Sequence, residues 1–185
     1  YKNLFVYDEK TIVKTKYFNI EFFRTTHSIP DSHGIAIKTP NGTIVMTGDF
    51  KFDLTPIGPM SNLQKMARIG AQGVKLLMSD STNALVEGIS VSESKVDESL
   101  GEIFANYKNN RIIIATFASN IYRLKHIIET SKEYGRKVCI FGRSMENNIN
   151  ISMEGGYIDA KDVIVTPDVA NNLKPGEVVL LCTGT

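Results

Sequence analysis

Apolar positions change rhythm near the middle of this chain. Residues Ile20–Thr26 are rich in aromatic and β-branched types and read as a strand. Gly34–Thr39 and Thr43–Thr47 read as two more, on either side of Pro40-Asn41-Gly42. An Asn-Gly pair between such runs is a strong hairpin signal. In that hairpin the start of the first strand lies beside the end of the second. The loop from His27 to His33 and the turn at Gly48-Asp49 therefore fall at one sheet edge. A helix is predicted over Asn62–Ala71, with Leu63, Met66, Ala67 and Gly70 on one face and Gly73 stopping it. Val74–Ser79 is a continuous apolar run, as expected of a buried strand, and Asp80-Ser81-Thr82-Asn83 sits at its C-terminal end.

From Ser90 the rhythm is that of a regular α/β protein. Ser90-Val91-Ser92-Glu93 matches a capping box, and Val96, Leu100, Ile103, Phe104 and Tyr107 then form a helical stripe. Arg111–Phe117 reads as a strand and Ile121–Tyr134 as a helix, with Ile121, Leu124, Ile127 and Ile128 toward the core. Lys137–Phe141 is another strand, Ser144–Met153 a helix, and Val163–Val165 and Glu177–Cys182 further strands. Such alternation implies parallel strands joined by crossovers. The change of character places a domain boundary near Ser90, giving segments 1–90 and 91–185.

Composition narrows this picture in a few respects. The length of 185 residues suits one large domain or two small ones, and 42% hydrophobic content argues against disorder. Charge is nearly balanced, 21 basic against 20 acidic residues, so local charge decides binding more than the sum. Cys139 and Cys182 both lie in apolar strand-like runs and read as buried reduced thiols, which fits a reducing cytosol. No segment approaches the apolar length of a membrane span, and none reads as a signal peptide. The chain opens on Tyr1 and closes on Thr185 in mid-pattern, which reads as an internal segment of a longer protein.

His27 and Asp49 form the first chemical constellation. Imidazole nitrogen and carboxylate oxygen are both good zinc donors, and a carboxylate can bridge two metals. The alternatives are an ordinary loop histidine and a turn aspartate after Gly48. Asp80, at the end of a strand, is placed either to orient a histidine or to cap the next turn. The second constellation is Phe117-Ala118-Ser119-Asn120, between a strand and a helix that Asn120 or Ser119 would cap. Gly142-Arg143-Ser144 repeats the arrangement at the next such turn. In a parallel sheet both turns lie at the C-terminal edge, where helix N-termini attract anions, with Arg123 and Lys125 nearby. These are a phosphate site or two capped helices. His33 and His126 are weaker candidates, and His126 reads as structural or surface-exposed. Lys51 and Arg24 are either phosphate contacts or solvated charges.

These residues together resemble ribonuclease J, a bacterial family of the metallo-β-lactamase superfamily carrying the β-CASP insertion. The resemblance extends along nearly the whole chain. It rests on Phe22-Phe23-Arg24-Thr25-Thr26-His27-Ser28-Ile29-Pro30-Asp31-Ser32, then Thr47-Gly48-Asp49-Phe50-Lys51-Phe52-Asp53, Ser79-Asp80-Ser81-Thr82-Asn83, Phe117–Asn120 and Gly142-Arg143-Ser144-Met145. Each motif is short; five in this order and spacing are specific.

The resemblance implies an α/β chain: part of a metallo-β-lactamase αββα sandwich over 1–90, then a β-CASP domain with a mainly parallel sheet over 91–185. It implies a zinc-dependent ribonuclease, 5′–3′ exonuclease and endonuclease, acting in mRNA decay and rRNA maturation. His27 and Asp49 would belong to a centre of two zinc ions, bridged by the aspartate, and Asp80 would support a later histidine. Phe117, Ala118, Ser119, Asn120, Arg143 and Ser144 would contact RNA, preferentially with a 5′-monophosphate. The implied setting is cytoplasmic, as a homodimer or homotetramer, with no membrane. The departures are as informative. The family's His-x-His-x-Asp-His motif and its later histidines are not in this sequence, and Tyr122 stands where histidine is more usual. The segment alone is therefore expected to be inactive, with zinc weak or absent. Two other readings remain open: a non-catalytic module binding a nucleotide or RNA phosphate, and a superfamily hydrolase with another substrate.

Overall fold

A computed structural model describes residues 4–184. The mid-pattern ends at Tyr1 and Thr185 lie outside the described residues. The chain divides into two compact units. One comprises the chain up to His27 with Asp31–Ser90; the other comprises Ser28–Pro30 with the chain from Val91 onward.

The first unit is a five-stranded sheet in sequential order: β1 (Ile12–Lys14), β2 (Asn19–Arg24), β3 (His33–Thr39), β4 (Gly42–Met46) and β5 (Leu76–Met78). The first four run antiparallel, and β5 returns parallel to β4 through helix α1 (Leu63–Ala71). Asn62 caps α1 by accepting from the Lys65 N–H, and Gly73, at φ +89°, ends it. The small core joins Phe23, Ala36 and Val45 of one sheet face to Ile69 of α1. Gly34 is required there, because a Cβ would stand 2.2 Å from the Phe23 ring. The αββα sandwich expected for this segment is not among the described residues; one sheet and one helix are.

Three expectations change here. Thr39 pairs with Gly42, so Gly42 joins β4 and the hairpin loop is Pro40-Asn41 rather than Pro40-Asn41-Gly42. Proline cannot take the positive φ that a type I′ turn needs at its first central position. Gly42 takes it instead, at φ +129°. The apolar run at β5 is exposed, Leu77 by 61%, because β5 is the sheet edge rather than a central strand. On α1 the core-facing residues are Met66 and Ile69, while Leu63, Ala67 and Gly70 are exposed.

The second unit is a parallel sheet in the order β6 (Ile112–Thr116), β9 (Val178–Thr183), β7 (Lys137–Phe141), β8 (Ile164–Val165). Helices α2 (Glu93–Asn106), α3 (Ile121–Glu133) and α4 (Arg143–Glu154) pack with it. Its larger core joins Phe104 of α2, Leu124, Ile127 and Ile128 of α3, and Met145 and Ile149 of α4 to Val138, Val179 and Leu181 of the sheet. Each such side chain contributes about 1.5–3 kcal/mol when fully buried. Ser92, not Ser90, caps α2, accepting from the Ser94 N–H. A short helix α5 (Pro167–Asn171), capped by Thr166, was not legible in the pattern. Cys139 and Cys182 are both free thiols, the first buried.

Two buried polar anchors organise the first unit. Thr26 and Ser61 are locked reciprocally: Thr26 N–H donates to Ser61 Oγ at 2.7 Å, Ser61 N–H to Thr26 Oγ1 at 2.9 Å, and the hydroxyls meet at 3.0 Å. Glu21, only 6% exposed, accepts from Arg68 and lies 3.2 Å from Lys38 Nζ. Burial pushes the Glu21 carboxyl up, but Arg68 and Lys38 outweigh it and hold the group below its ordinary value of 4.5.

Two outcomes follow for thermal unfolding followed by far-UV circular dichroism. Thr26→Val strands the Ser61 donors in a buried site and should cost about 1–3 kcal/mol, whereas an unchanged midpoint would deny the anchor. Glu21, with its depressed folded value, stabilises the fold fully above the ordinary value and loses that contribution as pH falls through the folded one. Glu21→Gln should therefore cost about 1–2 kcal/mol at pH 7 and almost nothing in acid.

Candidate functional site

Within the first unit three chain segments meet where β2, β4 and β5 end. His27 follows β2, Asp49 follows β4, and Asp80 follows β5. Antiparallel pairing sets Ile35 against Met46, so the turn after β4 starts beside the beginning of β3. Gly48 makes that turn at φ +63°, where a Cβ would stand 3.4 Å from the His33 carbonyl oxygen. The Lys51 N–H then donates to the Thr26 carbonyl at 2.8 Å, tying the turn to the residue before His27. His27 Nε2 and Asp49 Oδ2 lie 3.8 Å apart. The imidazole is mostly covered, and the carboxylate side chain is 75% exposed.

Parallel pairing of β4 with β5 delivers Asp80. The Thr47 N–H donates to the Met78 carbonyl at 3.0 Å, and the Asp80 N–H donates to Thr47 Oγ1 at 3.0 Å. The Asp80 carboxylate accepts from the Thr82 hydroxyl at 2.6 Å and the Thr82 N–H at 2.9 Å. These bonds, with one from the Phe50 N–H and the positive field of His27, hold its carboxyl below the usual range. Of its two alternative roles, the structure shows the capping of the following turn. The structure therefore brings His27, Asp49 and Asp80 together at one sheet edge.

An imidazole nitrogen and a carboxylate oxygen facing each other suit zinc by donor type. Their number does not suffice, since among the described residues no three His, Cys, Asp or Glu side chains form a metal-binding group. His33 turns away: its Nδ1 lies 2.7 Å from the Asp31 carbonyl oxygen, and its ring packs edge-on against Tyr7. Lys51 pairs with buried Asp53 at 3.7 Å and Arg24 with Glu9 at 3.3 Å. The supporting roles of Thr47, Phe50 and Ser61 were not read from the sequence. Ser61 lies 35 residues from Thr26, and the partners at Phe50 and Lys51 act through backbone N–H groups that no side-chain motif records.

The second unit carries its own candidate. The turns after β6 and β7 lie on the same C-terminal edge of the parallel sheet, with β9 between those strands. Asn120, not Ser119, caps α3, its Oδ1 accepting from the Arg123 N–H at 3.2 Å. Phe117 and Ser119 are exposed; Ala118 is half-buried and its carbonyl accepts from Asn148 of α4 at 2.8 Å. Gly142, at φ +113°, precedes α4, where no side chain caps the helix. Arg143 and Ser144 open α4 and are exposed. Arg123 does not serve an anion here: it forks onto Glu93 at 2.8 and 2.9 Å. Lys125 lies 3.8 Å from Glu129. Thr116 Oγ1, buried at the end of β6, has no hydrogen-bond partner among the described residues, a feature the sequence pattern does not mark. His126 is structural, as expected, 3.2 Å from Asp97 on α2.

Residues 109–185 match the family described as Ribonuclease J, beta-CASP domain. Ribonuclease J 1 of Streptococcus pyogenes serotype M3 is 46% identical over 179 residues, 96% of this chain and 32% of the relative. Ribonuclease J of Thermus thermophilus is 44% identical over 92% of this chain and 30% of the relative. That of Mycoplasma pneumoniae is 40% identical over 97% and 32%. The chain thus spans about a third of the length of these relatives. A crystal structure of a protein of unknown function from Enterococcus faecalis shares the fold, with TM-score 0.66 and 16% identity, over 99% of this chain and 45% of that one. No helix among the described residues is long and apolar enough to cross a membrane. The later part of the chain is a β-CASP domain of the ribonuclease J type, and nearly the whole chain is similar to a stretch of ribonuclease J proteins.

Proposed function

We propose that this chain is part of a metal-dependent nuclease that hydrolyses RNA phosphodiesters. The observation that carries the reading is the convergence of His27, Asp49 and Asp80 at the ends of three strands. His27 and Asp49 would supply two of the donors to a zinc centre, and the remainder would come from other parts of a longer protein. When bound, zinc there would lower the pKa of water and neutralise charge on the phosphodiester. The chain's own residues position that chemistry. Asp80 keeps its negative charge near His27, favouring a fixed orientation of the ring. Lys51 N–H and the Thr26 carbonyl hold the Asp49 turn against the His27 loop.

The second unit supports the choice of substrate class. Two helix N-termini on one sheet edge, one uncapped and opened by Arg143, are suited to phosphate. Phe117, 62% exposed, offers a face on which a base can stack. Phe117–Asn120, Arg143 and Ser144 are accordingly proposed as RNA contacts. A 5′-monophosphate preference, a cytoplasmic role in RNA turnover and assembly into dimers or tetramers extend the same proposal. A non-catalytic phosphate-binding module would use this edge without needing His27 or Asp49.

The test compares cleavage of a 5′-monophosphorylated single-stranded RNA and the matching DNA by the full-length protein and its Asp49→Asn variant. RNA cleavage should exceed DNA cleavage and should fall about a hundredfold or more in the variant. Undiminished cleavage by Asp49→Asn would defeat the metal-site reading, and RNA binding without any cleavage would favour the module.

A further inference from the structure

We infer that the first unit carries a second anion site, a basic groove that takes a phosphate-bearing ligand independently of the nuclease centre. Strand register builds it. Directly paired residues lie on the same side of a sheet, and Lys14 pairs with Asn19, which pairs with Lys38. Ile12 likewise pairs with Glu21, which pairs with Ala36. Ala36 belongs to the core under α1, so this polar row continues the α1 face of the sheet. Lys65 and Arg68, three apart on α1, form the groove's wall, and Lys10 lies in the turn before β1. The groove encloses about 280 Å³, room for a phosphate group and its neighbour.

Its charge does not balance. Five cations, Lys10, Lys14, Lys38, Lys65 and Arg68, line it against two carboxylates. Both carboxylates already have partners. Glu21 holds Arg68 and Lys38 (3.2 Å), and Glu9 is paired with Arg24 at 3.3 Å and accepts from Asn62 Nδ2 at 3.2 Å. Lys65 donates to the Glu9 carbonyl. Among the described residues the ammonium groups of Lys10 and Lys14 have no ion-pair or hydrogen-bond partner. The whole chain has a net charge of +1, so this surplus is a local concentration and not a property of the whole surface.

Two features separate the groove from a scatter of surface lysines. Glu21, buried beneath it, fixes Lys38 and Arg68 in place, so part of the cation array is ordered before any ligand arrives. Apolar Ile12, paired with Glu21 on this face, forms part of its lining, which lowers the local dielectric and strengthens attraction to an anion. Lysine ammonium groups, as compact point charges, suit phosphate oxygens. The shared ligand chemistry is a run of phosphates, supplied either by a free oligophosphate or by an RNA backbone.

The experiment titrates the ¹⁵N-labelled 185-residue chain with tripolyphosphate and, separately, with a short single-stranded RNA, without divalent metal. Amide shifts should centre on Lys10, Lys14, Lys65 and Arg68. Lys10→Glu/Lys14→Glu should weaken tripolyphosphate binding about tenfold or more, and, where RNA occupies the groove, Lys10→Gln/Lys14→Gln should lower the slope of log RNA affinity against log salt by about 1.4. RNA-induced shifts at Lys10, Lys14, Lys65 and Arg68 that vanish in these variants identify an RNA backbone as the source, whatever RNA binding the second unit retains. Tripolyphosphate shifts at these residues with none from RNA identify a free oligophosphate. Tripolyphosphate shifts scattered over the surface, or affinity unchanged in both variants, would overturn the inference. A change in the amide pattern of the Phe23, Ala36 and Ile69 core would reveal misfolding in one variant and leave the other as the test.

Discussion

Thr26 is the residue on which the first unit's functional edge depends. Its side chain and N–H are locked to Ser61, and its carbonyl accepts from Lys51. The four bonds bring together segments that are far apart in sequence and end one residue before His27. A loop can hold a metal donor only if its backbone is fixed, since a shift of about 1 Å in a reacting group is costly. Burial of both hydroxyls strengthens the constraint. If either partner were lost, the other would remain unsatisfied in a site with little water.

From that anchor the chemistry is assembled by ordinary sheet geometry. Antiparallel pairing of β3 with β4 sets the Gly48 turn beside the start of β3, and parallel pairing of β4 with β5 delivers Asp80 to the same edge. Two acidic groups then behave differently for stated reasons. Asp80 is half-buried and lowered mainly by the Thr82 hydroxyl, so it is a fixed charge at neutral pH. Glu21 is buried and lowered by its cations in spite of that burial, so it serves the fold. The second unit uses the other recurring device, a parallel sheet whose C-terminal edge carries helix N-termini.

The parts legible in the sequence were those decided locally. Hydrophobic rhythm marked β2 to β4, α1, α3 and the strands of the parallel sheet, and the order of strand-end motifs marked His27, Asp49 and Asp80. What was missed required partners distant in sequence or spoken for by other groups. The apolar composition of β5 read as burial, although edge position, not composition, sets exposure. Gly42 joined β4 and shortened the expected loop by one residue. Arg123 looked like an anion ligand until Glu93, 30 residues away, occupied its guanidinium. The Thr26–Ser61 lock left no pattern, because each residue taken alone is an ordinary hydroxyl.

The central claim is that His27 and Asp49 form a real but incomplete metal corner. Its most direct test is zinc titration of the 185-residue chain, followed by the His27 ring signals and by metal analysis after dialysis. The account predicts weak binding, with a dissociation constant of about 10 μM or higher for two donors. That binding should move the His27 signals and disappear in Asp49→Asn. Two zinc ions per chain that survive dialysis against a chelator, or zinc binding that leaves the His27 ring unmoved, would contradict it.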